Sequence, residues 1–180
     1  MVELSDKSKL YIEHQEMIDD LTASYESDSD KLFNHIENRI ASELYADEWK
    51  LNFQPGRKWQ QYYKRTWQQS SPLVHYEFIF SRDLLFKDTF SLAVDVEKGQ
   101  TELFIDTFSK ELAASKSTFD ERGITFRPSF RTYSVAYKKF MLDKDSERIA
   151  DQIIAAMQEF SFLTPIIDEA KWNYEASFKK

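Results

Sequence analysis

Two stretches of alternating apolar and polar residues, separated by a short break, constrain the fold of this chain more than any other feature. The first covers residues 73–81 and the second residues 88–98. A repeat of two places alternate side chains on opposite sides of a strand, so each stretch is predicted to be a β-strand. The apolar positions are Val74, Tyr76, Phe78, Phe80, Phe90, Leu92, Val94 and Val96. This strand pair therefore has one apolar face, which another layer of the protein must cover.

Apolar residues at helical spacing predict helices on both sides of the strand pair. Residues 5–25 and 30–46 precede it, either as two antiparallel helices or as one long bent helix. Residues 102–119 and a segment beginning near Ser146 follow it, and Pro165 breaks or restarts the last helix. Short strands are also predicted at residues 49–53, 124–126 and 133–138, and residues 59–67 form either a strand or a loop.

This order of elements predicts an α+β fold. We expect a mostly antiparallel sheet of four to six strands with helices packed on one face, an N-terminal helical pair and a C-terminal helix. The 180 residues are expected to form one domain. Within it, residues 1–46 supply the N-terminal helices, residues 49–142 the sheet with its inserted helix, and residues 146–177 the C-terminal helices.

The composition excludes several classes of site. The chain has no cysteine, which rules out disulfides, thiol nucleophiles and cysteine-based metal centres. Its three isolated glycines do not make a phosphate-binding loop, and no cofactor is predicted. No apolar run approaches the length of about 18 residues that a membrane span needs, and the N-terminus lacks the apolar core of a signal peptide. We therefore expect a cytoplasmic protein with no membrane partner.

Charge is distributed unevenly along the chain. Residues 1–56 hold 5 Lys/Arg and 13 Asp/Glu, a net charge of −8, whereas residues 57–144 hold 15 and 11, a net charge of +4. Residues 145–180 hold 4 and 7, which gives a net charge of −3. Such asymmetry can mark a domain with an anionic partner, but it is more typical of acidic helices that flank a near-neutral sheet.

Cations and aromatic residues are most concentrated in one segment between residues 57 and 67. Its members are Arg57, Lys58, Trp59, Tyr62, Tyr63, Lys64, Arg65 and Trp67. Cations bind phosphates and aromatic rings stack on bases, so this segment predicts a site for single-stranded or flexible nucleic acid, which Arg127 and Arg131 would extend. The alternative is an edge strand whose cations discourage strand pairing while its rings cover the core. The two arginines are then ordinary surface cations.

A second candidate site lies on the polar side of the strand pair. If the two strands pair, His75, Glu77, Asp95 and Glu97 cluster there, and they could hold a divalent metal or act as acid and base. A restriction-type nuclease needs an acid–x–Lys triplet, but Lys98 directly follows Glu97, so that spacing is wrong. The alternative is a solvated sheet face with no site.

Several short motifs resemble a prokaryotic domain of unknown function, which occurs alone or appended C-terminally to PD-(D/E)XK restriction-endonuclease-like domains. The matching residues are Trp59, the run His75-Tyr76-Glu77-Phe78, the run Leu92-Ala93-Val94-Asp95-Val96-Glu97 and the tail Phe162-Leu163-Thr164-Pro165-Ile166. The glycine usual before the first of these runs is replaced here by residues 69–72. The resemblance covers about four fifths of the chain and implies a defence- or DNA-related context without catalytic residues.

These observations predict a non-catalytic binding domain of a prokaryotic or phage defence system, which contacts nucleic acid or a nucleic-acid enzyme through the basic–aromatic segment. One alternative is a protein-interaction module, an inhibitor or a homodimer, that uses the acidic N-terminal helices. Another is a metal-dependent hydrolase built on the four polar residues of the strand pair.

Overall fold

A computed structural model of the protein describes residues 3–44, 47–54, 57–80, 84, 86–97, 101–113, 115–126 and 134–178. Arg127 and Arg131, which the sequence analysis assigns to the nucleic-acid site, lie outside the described residues. The elements are α1 (Asp6–Glu13), α2 (Gln15–Leu44), β1 (Trp49–Asn52), β2 (Trp59–Lys64), a 3-10 turn (Arg65–Gln68), β3 (Val74–Ile79), β4 (Thr89–Val96), α3 (Thr101–Ala113), α4 (Lys116–Glu121), β5 (Thr125–Phe126), β6 (Ser134–Met141), α5 (Ser146–Phe160) and α6 (Leu163–Ala176).

The strands form one six-stranded sheet in the order β1-β2-β3-β4-β6-β5, with every neighbouring pair antiparallel. The predicted α+β class is therefore confirmed. The segment that sequence left open at residues 59–67 is a strand followed by the 3-10 turn. The helix predicted over residues 102–119 is two helices, because the amide of Ser115 bonds to Leu112 and closes α3. Pro165 lies in the first turn of α6, where a helix needs no backbone N–H donor, so α5 ends at Phe160 and a new helix begins.

One face of the sheet supplies the core. Tyr62, Tyr76, Val94 and Ala136 lie in one row across four strands. The hydroxyl of Tyr76 donates to the carbonyl of Phe160 at 3.3 Å, which joins this row to α5. Phe33, Ile36 and Ile40 of α2 and Phe104 and Phe108 of α3 are fully buried in the same core. The helices thus pack on the apolar face that the alternating pattern predicts.

Alternate residues of the same strands define the outward face of the sheet. It comprises Trp59, Gln61, Tyr63, His75, Glu77, Ile79, Ser91, Ala93, Asp95, Tyr137 and Lys139. Antiparallel pairing brings members of different strands side by side on this face, because directly opposed residues point the same way.

Three polar residues of α6 hold the turn between β2 and β3. Asp168 accepts hydrogen bonds from Lys64 Nζ at 2.7 Å and from Trp67 Nε1 at 2.6 Å. Lys171 donates to three backbone carbonyls of the turn, and Glu175 accepts from Ser70. Spacings of three and four residues place these side chains on one face of α6, so a single helix fixes the whole turn.

α1 and the first part of α2 project from the core. In residues 4–24, which we call the N-terminal arm, every residue is exposed except Ser8 and Ile18, which are half-buried. The predicted N-terminal helical pair is present as α1 and α2, but the boundary between them lies at His14 and not in residues 25–30, through which α2 runs unbroken. The Ser29 hydroxyl donates to the carbonyl of Tyr25 at 2.7 Å and Lys31 pairs with Asp28 at 2.8 Å, so the polar run bonds within the helix instead of ending it. In the described part of the chain, no helix is both long and apolar enough for a bilayer crossing.

Candidate functional site

The basic–aromatic segment does not form one surface. Tyr62 is 5% exposed and Trp67 is 1% exposed, so both rings belong to the core rather than to a base-stacking platform. Alternation along β2 directs Tyr62 to the helices, and the hydrogen bond from Trp67 to Asp168 satisfies its indole inside the protein. The sequence prediction that these two rings face a ligand is therefore wrong.

Lys64 is also not available to bind a phosphate. Its ammonium lies 2.7 Å from Asp168 and 3.8 Å from Glu48, and its side chain is largely buried. A cation that is already paired with a carboxylate gives little net attraction to a second anion. The hydrogen bonds of Lys64 therefore mark it as a structural residue.

The exposed remainder of the segment lies at the start of β2. Arg57 and Lys58 are exposed there, and Trp59 is 48% exposed beside its cross-strand partner Ile79. Arg65 is exposed at the other end of β2, about 20 Å away along a six-residue strand. Tyr63 is half-buried between the two ends. The exposed cations of this segment therefore lie at opposite ends of β2 and do not form one surface.

The polar residues of the strand pair do come together. His75 lies directly opposite Asp95 in the β3–β4 register, and Glu77 follows His75 on the same side of β3. One ligand-type atom from each of these three residues lies within 4.8 Å of the others. The sequence predicts this grouping correctly, because it follows from strand pairing and alternation alone.

The cluster is buried, which the sequence did not predict. His75 is 2% exposed and Asp95 is 5% exposed, and only 16% of the Glu77 side chain is accessible. The alternative of a solvated sheet face is therefore wrong for these three residues. Glu97 stays half-exposed, with its Oε1 atom 3.9 Å from Nδ1 of His75.

The imidazole of His75 has polar neighbours at both ring nitrogens. Its Nε2 atom lies 3.2 Å from Nε2 of Gln61 and 3.5 Å from Oε2 of Glu77. Gln61 is a member of the site that sequence reasoning missed. It stands opposite Glu77 in the β2–β3 register, so only the strand pairing reveals it.

Asp95 is the most perturbed acid of the cluster. Burial raises the pKa of its carboxyl to about 6, and repulsion by Glu77 adds to the rise. Ser134 hydrogen-bonds the Asp95 carboxyl and opposes this effect, whereas the Oδ1 atom is buried without a hydrogen-bond partner among the described residues. Such a group is suited to proton transfer or to coordination of a cation.

Comparison with known proteins identifies no relative. No family model, no curated protein and no solved structure matches the chain.

Proposed function

We propose that this protein is a protein-interaction domain and that its N-terminal arm inserts into a groove on a partner. One observation carries the proposal: Leu10, Met17 and Leu21 are 57%, 55% and 63% exposed. Met17 and Leu21, four residues apart, lie on one side of α2, and Leu10, seven residues before Met17, lies near the end of α1 that adjoins α2 at His14. An apolar stripe of this kind is the signature of a helix that docks in a groove.

The arm gains its stability from a contact outside the core. The first buried residue of α2 is Ser29, and the half-buried Tyr25 packs its ring against Phe86 at 5.0 Å, so tertiary packing supports α2 from about Tyr25 onward. The arm consists of the eight-residue α1 and the first turns of α2, and helices this short are marginal in water without tertiary packing. Burial of the exposed parts of Leu10, Met17 and Leu21 contributes roughly 1–2 kcal/mol each, which is enough to order the arm in a complex.

The charge of the arm indicates the chemistry of the partner. Glu16, Asp19 and Asp20 are exposed on the flank and far side of α2 relative to the apolar stripe, and the arm has no lysine or arginine after Lys9. Two such arms would repel each other, whereas a basic surface around an apolar groove would attract one. A nucleic-acid enzyme has such a basic surface, which agrees with an inhibitor-type role. A homodimer is the competing arrangement.

The test is capture of partners from an extract of the source cells with the full chain as bait, combined with light scattering of the pure protein. The variant Leu10→Ser/Met17→Ser/Leu21→Ser should lose the captured protein, and Ile12→Ser should keep it. Ile12 is a matched control because it is 60% exposed on the opposite side of α1. Binding to a basic partner should weaken as salt rises. Equal capture by both variants would refute the proposal, and a concentration-dependent dimer would favour self-association.

A second candidate function is weak binding of single-stranded nucleic acid at the start of β2. It is favoured by the exposure of Trp59 next to Arg57 and Lys58, for which the described residues supply no ion-pair partner. Titration with short single-stranded and duplex oligonucleotides at two salt concentrations tests it. Arg57→Glu/Lys58→Glu should abolish binding, whereas Arg65→Glu at the far end of the strand should not. Equal affinities of the two variants would eliminate this site.

A further inference from the structure

We propose that His75, Glu77 and Asp95 bind a single divalent transition-metal ion, of the class of Zn²⁺ or Mn²⁺, at the centre of the outward face. This site is independent of the N-terminal arm, which lies on α1 and α2. It adds an inorganic ligand to a domain whose proposed function does not require one.

The first support is the donor set and its origin. β3 supplies an imidazole and a carboxylate two residues apart, and β4 supplies a second carboxylate directly across from the imidazole. Two paired strands in the middle of a sheet hold these groups more rigidly than loops would. Their closest atoms already lie within 4.8 Å of one another. Ligands of a tetrahedral ion at bond lengths near 2.1 Å are about 3.4 Å apart, so closure requires side-chain rotation and no movement of the strands.

The second and independent support is an orphaned oxygen. Oδ1 of Asp95 is buried and has no hydrogen-bond partner among the described residues. An unsatisfied buried carboxylate oxygen is more destabilising than an unsatisfied neutral group. Within the described residues, no lysine or arginine forms an ion pair with Asp95 or Glu77. A bound cation would satisfy the oxygen and would also remove the repulsion between the two acids.

The surroundings of His75 select the coordinating atom. Oε1 of Glu97 lies 3.9 Å from Nδ1, and a rotation of its half-exposed side chain would let it accept a hydrogen bond from Nδ1–H and leave the Nε2 lone pair free. Nε2 is the atom that faces Oε2 of Glu77 at 3.5 Å. The amide of Gln61 occupies the same position at 3.2 Å and must turn aside when an ion enters. A carboxylate behind a metal-binding imidazole is the usual arrangement in metal sites.

The donor types decide the class of ion. Mg²⁺ and Ca²⁺ prefer oxygen-only shells, whereas an imidazole nitrogen favours first-row transition ions. Three protein ligands leave a fourth position for water, as in catalytic zinc sites. The nitrogen ligand therefore argues for Zn²⁺ or Mn²⁺ over the alkaline-earth ions.

Calorimetry of the full chain with ZnCl₂, MnCl₂ and MgCl₂ tests the inference. We expect one equivalent of Zn²⁺ or Mn²⁺ to bind more tightly than Mg²⁺. His75→Gln and Asp95→Asn should weaken binding at least 100-fold, and Glu97→Gln by about 10-fold. Asp88→Asn removes an exposed acid that pairs with Lys144, and it should leave the affinity unchanged.

A measurement on the unmodified protein covers the case in which the variants do not fold. The chain has three histidines, His14, His35 and His75. In nitrogen-detected NMR, added Zn²⁺ should shift the ring nitrogens of His75 alone. Absence of saturable binding below about 1 mM, or a shift confined to His14 or His35, would overturn the inference. The buried cluster would then be a hydrogen-bonded structural network.

Discussion

Lys171 offers the sharpest test of how the fold is held together. This residue of α6 is 5% exposed, and its ammonium donates to the carbonyls of Ser70 at 2.8 Å, Pro72 at 3.0 Å and Trp67 at 3.4 Å. Substitution by Met keeps the length and apolar volume of the side chain and removes every donor. The turn before β3 then keeps its position with its carbonyls unpaired.

The expected loss follows from the two short hydrogen bonds. Each buried carbonyl left without a donor costs about 1–3 kcal/mol, and the long contact to Trp67 adds little. Part of this cost is recovered, because the Lys171 ammonium is itself destabilised by burial, as the lowered pKa of Lys171 indicates. We expect Lys171→Met to reduce the free energy of unfolding by about 3 kcal/mol. For a chain of this size, that loss lowers Tm by about 6–12 °C.

Urea unfolding followed by tryptophan fluorescence measures this change, because Trp67 lies within the turn. Lys110→Met makes the same substitution at an exposed position of α3 and should change stability by less than about 0.5 kcal/mol. A loss below about 1 kcal/mol for Lys171→Met would show that the turn does not depend on this ammonium, and our reading of α6 would be wrong.

Three further outcomes follow from other residues. Gly123 has φ 62°, and a Cβ there meets nothing within 4 Å, so Gly123→Ala should cost only the left-handed backbone strain of about 1–2 kcal/mol in chemical denaturation; a neutral result would contradict this conformation. Tyr76→Phe removes the hydrogen bonds to Thr164 at 2.9 Å and to Phe160, and should lower the free energy of unfolding by about 1–2 kcal/mol; no change would mean that the hydroxyl is not desolvated. Because burial lowers the pKa of Lys171 in the folded state, the unfolded chain binds more protons between that value and the ordinary 10.5. The stability of the wild type relative to Lys171→Met should therefore rise with pH in this window, and a fall would reverse the assigned sign.

Local sequence patterns were sufficient to predict the central strands of the sheet and the grouping of their polar residues. The alternation at residues 73–81 and 88–98 depends only on the geometry of strands, and β3 and β4 lie within those ranges. The same alternation placed His75, Glu77 and Asp95 on one side. These features could be predicted because each depends on residues close in sequence or on a single strand pairing.

Features that depend on distant contacts could not be predicted. Asp168 is about 100 residues from Lys64 and Trp67, and nothing in the basic–aromatic segment indicates that a carboxylate of the last helix binds both. The burial of His75 is likewise a property of the assembled sheet. In the polar run before Lys31, helix propensity is a weak guide because hydrogen bonds along α2 outweigh it.

The continuity of α2 has a mechanical consequence. A helix of 30 residues is about 45 Å long, and no loop separates its outer half from the half that packs in the core. We expect α2 to move as a rigid rod that pivots where Phe33, Ile36 and Ile40 pack in the core. Phe33 contacts the rings of Phe53 and Phe80, so a force that tilts the outer end of α2 would press on these two rings. Binding of a partner at the outer end of α2 would in this way affect the packing of the sheet without the refolding of any segment.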